Sequence, residues 1–281
     1  MGLEVSTTVA ERREAARLQR VHQRGQWSRT PYGEGFCLND SAYLQFLQTV
    51  CGPRKEKYSA LPVMSDPGQD GYFLQNAWFG AVDAEILYCV IDHFRPSRII
   101  EIGSGYSTRL MRRTIREGNV KTKLTSIDPI PRVGVQSCAD EEIRMIVEDV
   151  PISRFADELQ PNDILFIDSS HVIKTGGDVP YLFLEVLPKL QAGVLIHVHD
   201  IFLPFDYPKY FIEKRWGWTE QYLFHAFMLG NHDYEILWPS YYMWQLHRQA
   251  VVNAVSAQAP VCDPSSFWIR RLTPSSLGAQ Q

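Results

Sequence analysis

RIIEIGSGYSTR, residues 98–109, decides how this chain folds. Arg98–Ile102 reads as a short, almost wholly apolar strand. A Gly-x-Gly turn follows, and Ser107 or Thr108 then caps a helix expected over about 107–117. Glycines at 103 and 105 let the backbone turn tightly and leave room for a ligand to approach the main chain.

The same punctuation recurs downstream. Lys123–Ile127, Ile143–Val147, Asp163–Ile167 and Val194–Val198 are further apolar runs, separated by helical patterns near 152–159 and 179–190. Short runs of Ile, Val and Leu without polar alternation are how parallel strands read when helices cover both faces of a sheet. Strand and helix alternating in this way give a doubly wound α/β fold. A helix over about 218–229, a run at Tyr234–Trp238, a helix over about 241–256 and a run at Phe267–Leu272 extend the sheet along one edge. Upstream, helices are expected over 5–24, around Ser41–Val50 and over 80–94. The Pro-, Gly- and Tyr-rich stretch from Gln26 to about Gly71 reads as a cap. The organisation expected is a helical and irregular cap segment over 1–75, an α/β domain over 76–273 and a disordered tail over 274–281.

The strand ends carry the chemistry. In open α/β sheets, ligands bind at the carboxyl ends of the strands near the switch point. A dinucleotide fingerprint needs a third small residue after Gly103 and Gly105, and that position holds Thr108. Glu101, two residues before the first glycine, would oppose a pyrophosphate but suits a ligand bearing an ammonium and no phosphate, such as S-adenosylmethionine. Asp128 closes the second strand, where it can accept from ribose hydroxyls. Asp149, just past the third, can meet an adenine amino group, and Asp168 closes the fourth. The cofactor candidates are therefore Glu101, Gly103, Ser104, Gly105, Ser107, Asp128, Asp149 and Asp168. A nicotinamide dinucleotide, or a fold of this type holding no cofactor, remains as an alternative.

Residues from about 75 to 238 resemble the class I S-adenosylmethionine-dependent methyltransferases. EIGSGYST, SIDP, FIDSSH and GVLIHVHD match the motifs that close the first, second, fourth and fifth strands of that family. The resemblance implies a Rossmann-like seven-stranded sheet, mostly parallel, with an antiparallel hairpin at its edge.

A reaction centre is expected where Asp168 and His171, three residues apart, meet His199 and Asp200 at the end of the neighbouring strand. Adjacent strands lie less than about 5 Å apart, so these side chains can converge. Two carboxylates with a histidine suit Mg²⁺, Mn²⁺ or Fe²⁺, with Asp168, His199 and Asp200 as the candidate ligands. The arrangement is similar to that of metal-dependent sugar O-methyltransferases and catechol-type enzymes. That resemblance implies metal ligation by Asp168 and Asp200 and a base role for His171. The sugar enzymes have a carboxylate where this chain has His199. Without a metal, Asp168 would hold the cofactor's amino-acid portion and Asp200 would cap the following segment. His197 is read as a packing histidine on the face away from His199. The aromatic stretch 201–227 follows directly, and Tyr207, Trp216, Trp218, Glu220 and Gln221 are candidates for one wall of the acceptor pocket; core packing explains the same residues equally well.

Bulk properties narrow the class. Hydrophobic residues make up 45% of the 281, charged residues 21%, and the formal net charge is −4, which disfavours a surface built to hold nucleic acid. The five cysteines are scattered with none at C-x-x-C spacing, so they read as reduced thiols of a cytoplasmic protein. No run of 18 apolar residues predicts a membrane span. The function expected is methyl transfer from S-adenosylmethionine to an oxygen, less readily a nitrogen, of a small molecule. The alternatives are a catalytically silent cofactor-binding subunit and a nicotinamide oxidoreductase. The polar N-terminal helix suggests a homodimer.

Overall fold

The computed structural model of the chain describes residues 8–35, 37–65, 71–131, 135, 137–255 and 260–273. The tail expected over 274–281 lies outside these residues. The elements in order are α1 (Thr8–Gln23), α2 (Asp40–Phe46), α3 (Lys55–Tyr58), α4 (Asp83–Phe94), β1 (Arg98–Ile102), α5 (Tyr106–Glu117), β2 (Lys123–Ile127), β3 (Glu141–Ile143), α6 (Ser153–Ala156) and β4 (Ile164–Ile167). They continue as α7 (Asp178–Pro180), β5 (Leu195–Val198), α8 (Lys209–Glu213), α9 (Glu220–Met228), β6 (Tyr234–Pro239), α10 (Ser240–Leu246), α11 (Arg248–Ala254) and β7 (Phe267–Arg271). From α7 the helical path runs on to Lys189 through a widened turn over Tyr181–Val186.

Among the described residues, seven strands form one sheet in the order β3-β2-β1-β4-β5-β7-β6. The pairs among β1 to β5 are parallel, and β7 runs antiparallel to both β5 and β6. The doubly wound sheet with an antiparallel edge is therefore present as expected.

Alternation along each strand divides the core. Ile99, Leu124, Ile164 and Phe166 face α4 and α5, while Ile100, Ile102, Leu165 and Ile167 face the opposite helical layer. Each such side chain taken from water contributes about 1.5–3 kcal/mol, which is why these strands carry no polar alternation. Ten of the twelve residues of α4 are buried. A helix buried on nearly every side must be covered on both faces, and the stretch from Asp40 to Tyr58 supplies the second cover, packing on α4, β6 and α11. The cap is thus laid over a helix of the domain.

Three elements depart from the sequence reading in ways that matter for the packing. The third strand is Glu141–Ile143 rather than Ile143–Val147, because it is an edge strand with β2 as its one partner, and Ile146 and Val147 turn instead into a cavity. The helix over 152–159 shortens to one turn at Ser153–Ala156. The helix over 241–256 breaks at His247, whose ring turns to Asp40 of the cap at 2.8 Å. No helix among the described residues is long and apolar enough to cross a membrane.

Candidate active site

A cavity of about 640 Å³ opens at the carboxyl ends of β1, β2, β4 and β5, where the crossover on either side of β1 leaves a crevice. Gly103, Ser104, Gly105, Ser107, Asp128, Asp168, His171, His199 and Asp200 all line it. The loop at 103–107 therefore faces the same space as the expected reaction centre.

Gly103 has φ +84°, donates its N–H to Ile127 O at 3.0 Å, and leaves so little room that a Cβ would stand 2.0 Å from the carbonyl oxygen of Asp168. Glu101 is fully buried and does not line the cavity. Its two oxygens accept from Ser107 Oγ and Thr108 Oγ1, each at 2.6 Å, and Thr108 Oγ1 in turn accepts from Gly105 N at 2.9 Å. Thr108, in the place of a third glycine, thus ties the turn to the carboxylate, and Glu101 shapes the loop from beneath.

Burial pushes the Glu101 carboxyl up to about 8, with its two hydroxyl donors acting in the opposite direction. Its folded-state pKa lies above the ordinary 4.5, so between about 4.5 and about 8 the unfolded chain releases a proton that the folded chain keeps. Stability from this group is complete below that window and falls as pH rises through it. The neutral isostere Glu101→Gln, with its amide donating to Ser107, is expected to flatten this dependence. Its melting temperature relative to the wild type should climb from pH 5 to pH 8.5 in thermal denaturation, and a constant difference would refute the assignment.

Asp128 accepts from Ser104 Oγ at 2.7 Å and from Ile130 N at 2.8 Å, which holds its carboxylate at the cavity edge. Asp149 is exposed and outside the cavity lining; the short turn Val147–Asp149 brings Glu148 there instead. The strand expected over Ile143–Val147 gives way to this turn, which leaves Asp149 off the cavity lining.

At the other end of the cavity, His171 is buried, with Nδ1 2.8 Å from Glu220 Oε2 and Nε2 3.3 Å from Asp168 Oδ1 and 3.6 Å from Asp200 Oδ2. Burial alone would lower the proton affinity of the ring, but the hydrogen bonds to Asp168 and Glu220 overcome it and raise the pKa well above the ordinary value. Burial would raise Asp168, yet the His171 hydrogen bond and the nearby histidines hold it down at about 2. His171 and Asp200 both have left-handed backbones, φ +61° and +57°. Non-glycine residues keep such strain where the surroundings over-determine it, which is common at functional sites.

His199 is buried, with Nε2 3.3 Å from the Trp78 carbonyl and 4.0 Å from Asp200 Oδ1. Asp168, His171 and Asp200 form a cluster whose ligand atoms all lie within 4.8 Å of one another. His197 corrects an expectation. Its ring stands 5.5 Å from that of His199 and so points to the same face, as residues two apart on a strand must. It is nonetheless a packing residue, stacked on Phe166 at 3.8 Å and hydrogen-bonded to Ser266 Oγ at 2.9 Å, and burial drives its pKa well down.

Of the wall candidates in 201–227, Trp218 lines the cavity, its ring 4.2 Å from that of His171. Tyr207 and Gln221 are buried instead in a structural network, in which Gln221 N donates to the Tyr207 hydroxyl and the Gln221 side chain holds Phe202 N. Trp216 stacks on Trp218 and faces a separate groove beside α1. The other wall comes from Trp78 and Phe79, which sequence reading missed. Asn76 builds their turn by accepting from Trp78 N and Phe79 N and donating to Phe79 O. The Asn76 to Gly80 spacing was the available signal.

Residues 100–201 match the family model described as a methyltransferase domain. The chain carries a methyltransferase domain. Its seven-stranded sheet, with β7 running antiparallel between β5 and β6 at the edge, is the class I arrangement that the sequence motifs implied. The domain's Gly-x-Gly turn and both reaction-centre strands fall within or beside the matched residues. An uncharacterized protein of Archaeoglobus fulgidus is 34% identical over 99 residues, 33% of this chain and 44% of that one, so the match spans less than half of the relative. Among solved structures, the chain is similar to the SAH-bound Podospora anserina methyltransferase PaMTH1, with 14% identity, 97% and 100% of the two chains covered and a TM-score of 0.44. It is also similar to the mycinamycin-pathway methyltransferase MycE, solved with Mg, SAH and mycinamycin VI, with 15% identity, 87% and 66% covered and a TM-score of 0.41.

Proposed function

We propose that the protein transfers a methyl group from S-adenosylmethionine to a hydroxyl oxygen of a small molecule, with His171 as the base. The observation that carries this reading is one cavity joining the 103–107 loop and Asp128 to His171, Asp168 and Asp200. Asp128 accepts from the ribose hydroxyls, Glu148 is the acid at the adenine end in place of Asp149, and Glu101 acts by holding Ser107 and Thr108. The acceptor enters between Trp78 and Trp218. Its O–H proton passes to His171 Nε2, an oxygen lone pair forms the new bond to the methyl carbon, and the carbon–sulfur bond breaks with its electrons left on sulfur. His171 must enter this step neutral, and positive charge brought beside Asp168 and Asp200 opposes the upward pull of those acids on the ring's proton affinity. General-base assistance of this kind supplies about 10²–10⁴-fold.

Asp168 and Asp200 also fit a divalent cation of the Mg²⁺, Mn²⁺ or Fe²⁺ type, being hard oxygen donors beside an imidazole. When bound, such an ion supplies charge that acidifies a neighbouring hydroxyl. His199 lines the same cavity but stands outside that cluster, its Nε2 3.3 Å from the Trp78 carbonyl.

Thermal shift with S-adenosylhomocysteine and with NAD tests the cofactor. A ligand at 100 times its Kd stabilises by about 2.7 kcal/mol, so S-adenosylhomocysteine should raise the melting temperature by several degrees and NAD should not. The reverse result would overturn the reading. Asp128→Ala removes a charge-assisted hydrogen bond worth about 1.5–3 kcal/mol, and S-adenosylhomocysteine should bind it about 10- to 100-fold more weakly in calorimetry. Transfer of labelled methyl groups to a panel of hydroxyl compounds, with and without EDTA, tests the reaction and the cation. Cofactor binding with no transfer to any of them would favour a silent subunit.

A further inference from the structure

We propose that Glu220 is a positioning residue that fixes the ring of His171, holding the Nδ1 proton so that Nε2 faces Asp168, Asp200 and the cavity. The proposal rests on His171 being the base. Glu220 is 1% exposed and comes from α9, far along the chain, yet its Oε2 stands 2.8 Å from Nδ1. The two residues are clamped in both directions, because the His171 carbonyl accepts from Thr219 N at 2.9 Å and from Glu220 N at 3.1 Å. The left-handed backbone of His171 and the Trp218 ring against its imidazole remove what freedom remains.

The second oxygen of Glu220, Oε1, is buried with no hydrogen-bond partner among the described residues. The side-chain hydrogen bonding of a fully desolvated carboxylate is therefore spent on one ring. Apolar residues of similar volume serve packing as well or better than a buried ion pair, and the helix macrodipole favours an acid in a first turn without requiring its burial. Control of the ring accounts for both. A carboxylate on one ring nitrogen selects the tautomer whose other nitrogen carries the lone pair, and it stabilises the cation formed when the proton arrives.

The test uses the full chain, labelled with ¹⁵N-histidine and saturated with S-adenosylhomocysteine. The wild type should show a slowly exchanging Nδ1 proton on His171, assigned by its absence in His171→Gln. Glu220→Ala should lose that proton signal and show mixed tautomers. Its kcat for methyl transfer should fall roughly 10- to 100-fold, as when the orienting partner of a functional histidine is removed, with KM for S-adenosylmethionine unchanged. Glu220→Gln preserves volume and an accepting oxygen, so it should keep the Nδ1 proton, shifted upfield by the loss of charge, and recover part of the rate. An Nδ1 signal in Glu220→Gln identical to the wild type would overturn the proposal, even if the alanine variant failed to fold. Unchanged kcat in Glu220→Ala would do the same. Full activity in His171→Gln would instead sink the base assignment while the ring spectra still reported on Glu220, so the two failures are distinguishable.

Discussion

Replacing His171 by alanine is expected to lower methyl transfer by about 10²–10⁴-fold, the range that general-base assistance supplies, while S-adenosylhomocysteine affinity stays within a few-fold. The separation follows from geometry. His171 lies at the end of the cavity formed by β4 and β5, whereas the 103–107 loop and Asp128 belong to β1 and β2. Truncation has a structural cost as well. Glu220 would be left buried without its partner at Nδ1, and breaking a buried pair from one side costs about 3–5 kcal/mol. The double variant His171→Ala/Glu220→Gln removes that stranded charge and should recover thermal stability without recovering rate. Exogenous imidazole should partly restore turnover in either variant. Single-turnover assays at saturating S-adenosylmethionine give the rate free of product release. Turnover within threefold of the wild type would eliminate the base role.

The fold was legible because its signals are local. Mostly apolar runs alternate with helical patterns in a strict order around a Gly-x-Gly turn, and β1, β4 and β5 are buried in the sheet almost throughout, as central parallel strands must be. Where a second influence competes, the reading slipped. Met145 and Ile146 look like strand residues, yet the chain has already left the edge and turns Ile146 toward the cavity. With the strand ended early, Glu148 rather than Asp149 faces the cavity.

The site was legible at its strand ends and opaque elsewhere. Asp128, Asp168, His171 and Asp200 end strands or begin the loops after them, so topology alone brought them together. Glu101 shares their position but is drawn under the loop by Ser107 and Thr108, a difference set by which face of the strand it occupies. Trp78 reaches the cavity from a turn before the first strand, with 61% of its surface exposed, and no strand-end rule points to it. Glu220 could be flagged as a helix-start acid, but its partner is 49 positions away, and only the packed fold shows that the acid is aimed at His171.

Gly103→Ala is expected to be the most disruptive single substitution in the loop. The new Cβ would stand 2.0 Å from Asp168 O, far inside contact distance, on a backbone at φ +84°. Left-handed backbone costs an L-residue about 1–2 kcal/mol, and forced overpacking typically about 1–3 kcal/mol more. Together these should lower the melting temperature by on the order of 10 °C for a domain of this size. The clash also decides where the damage goes. The obstructing atom is backbone, and Asp168 N is bonded to Ile102 O at 3.0 Å, so the ends of β1 and β4 cannot separate without moving the Asp168 side chain. Cofactor affinity and rate should therefore fall together in Gly103→Ala, whereas Asp128→Ala should weaken binding far more than it slows transfer at saturation. Calorimetry with S-adenosylhomocysteine, beside kcat measured at saturating cofactor, separates the two patterns. A Gly103→Ala protein with weak binding and a wild-type kcat would show that the loop and the reaction centre are uncoupled.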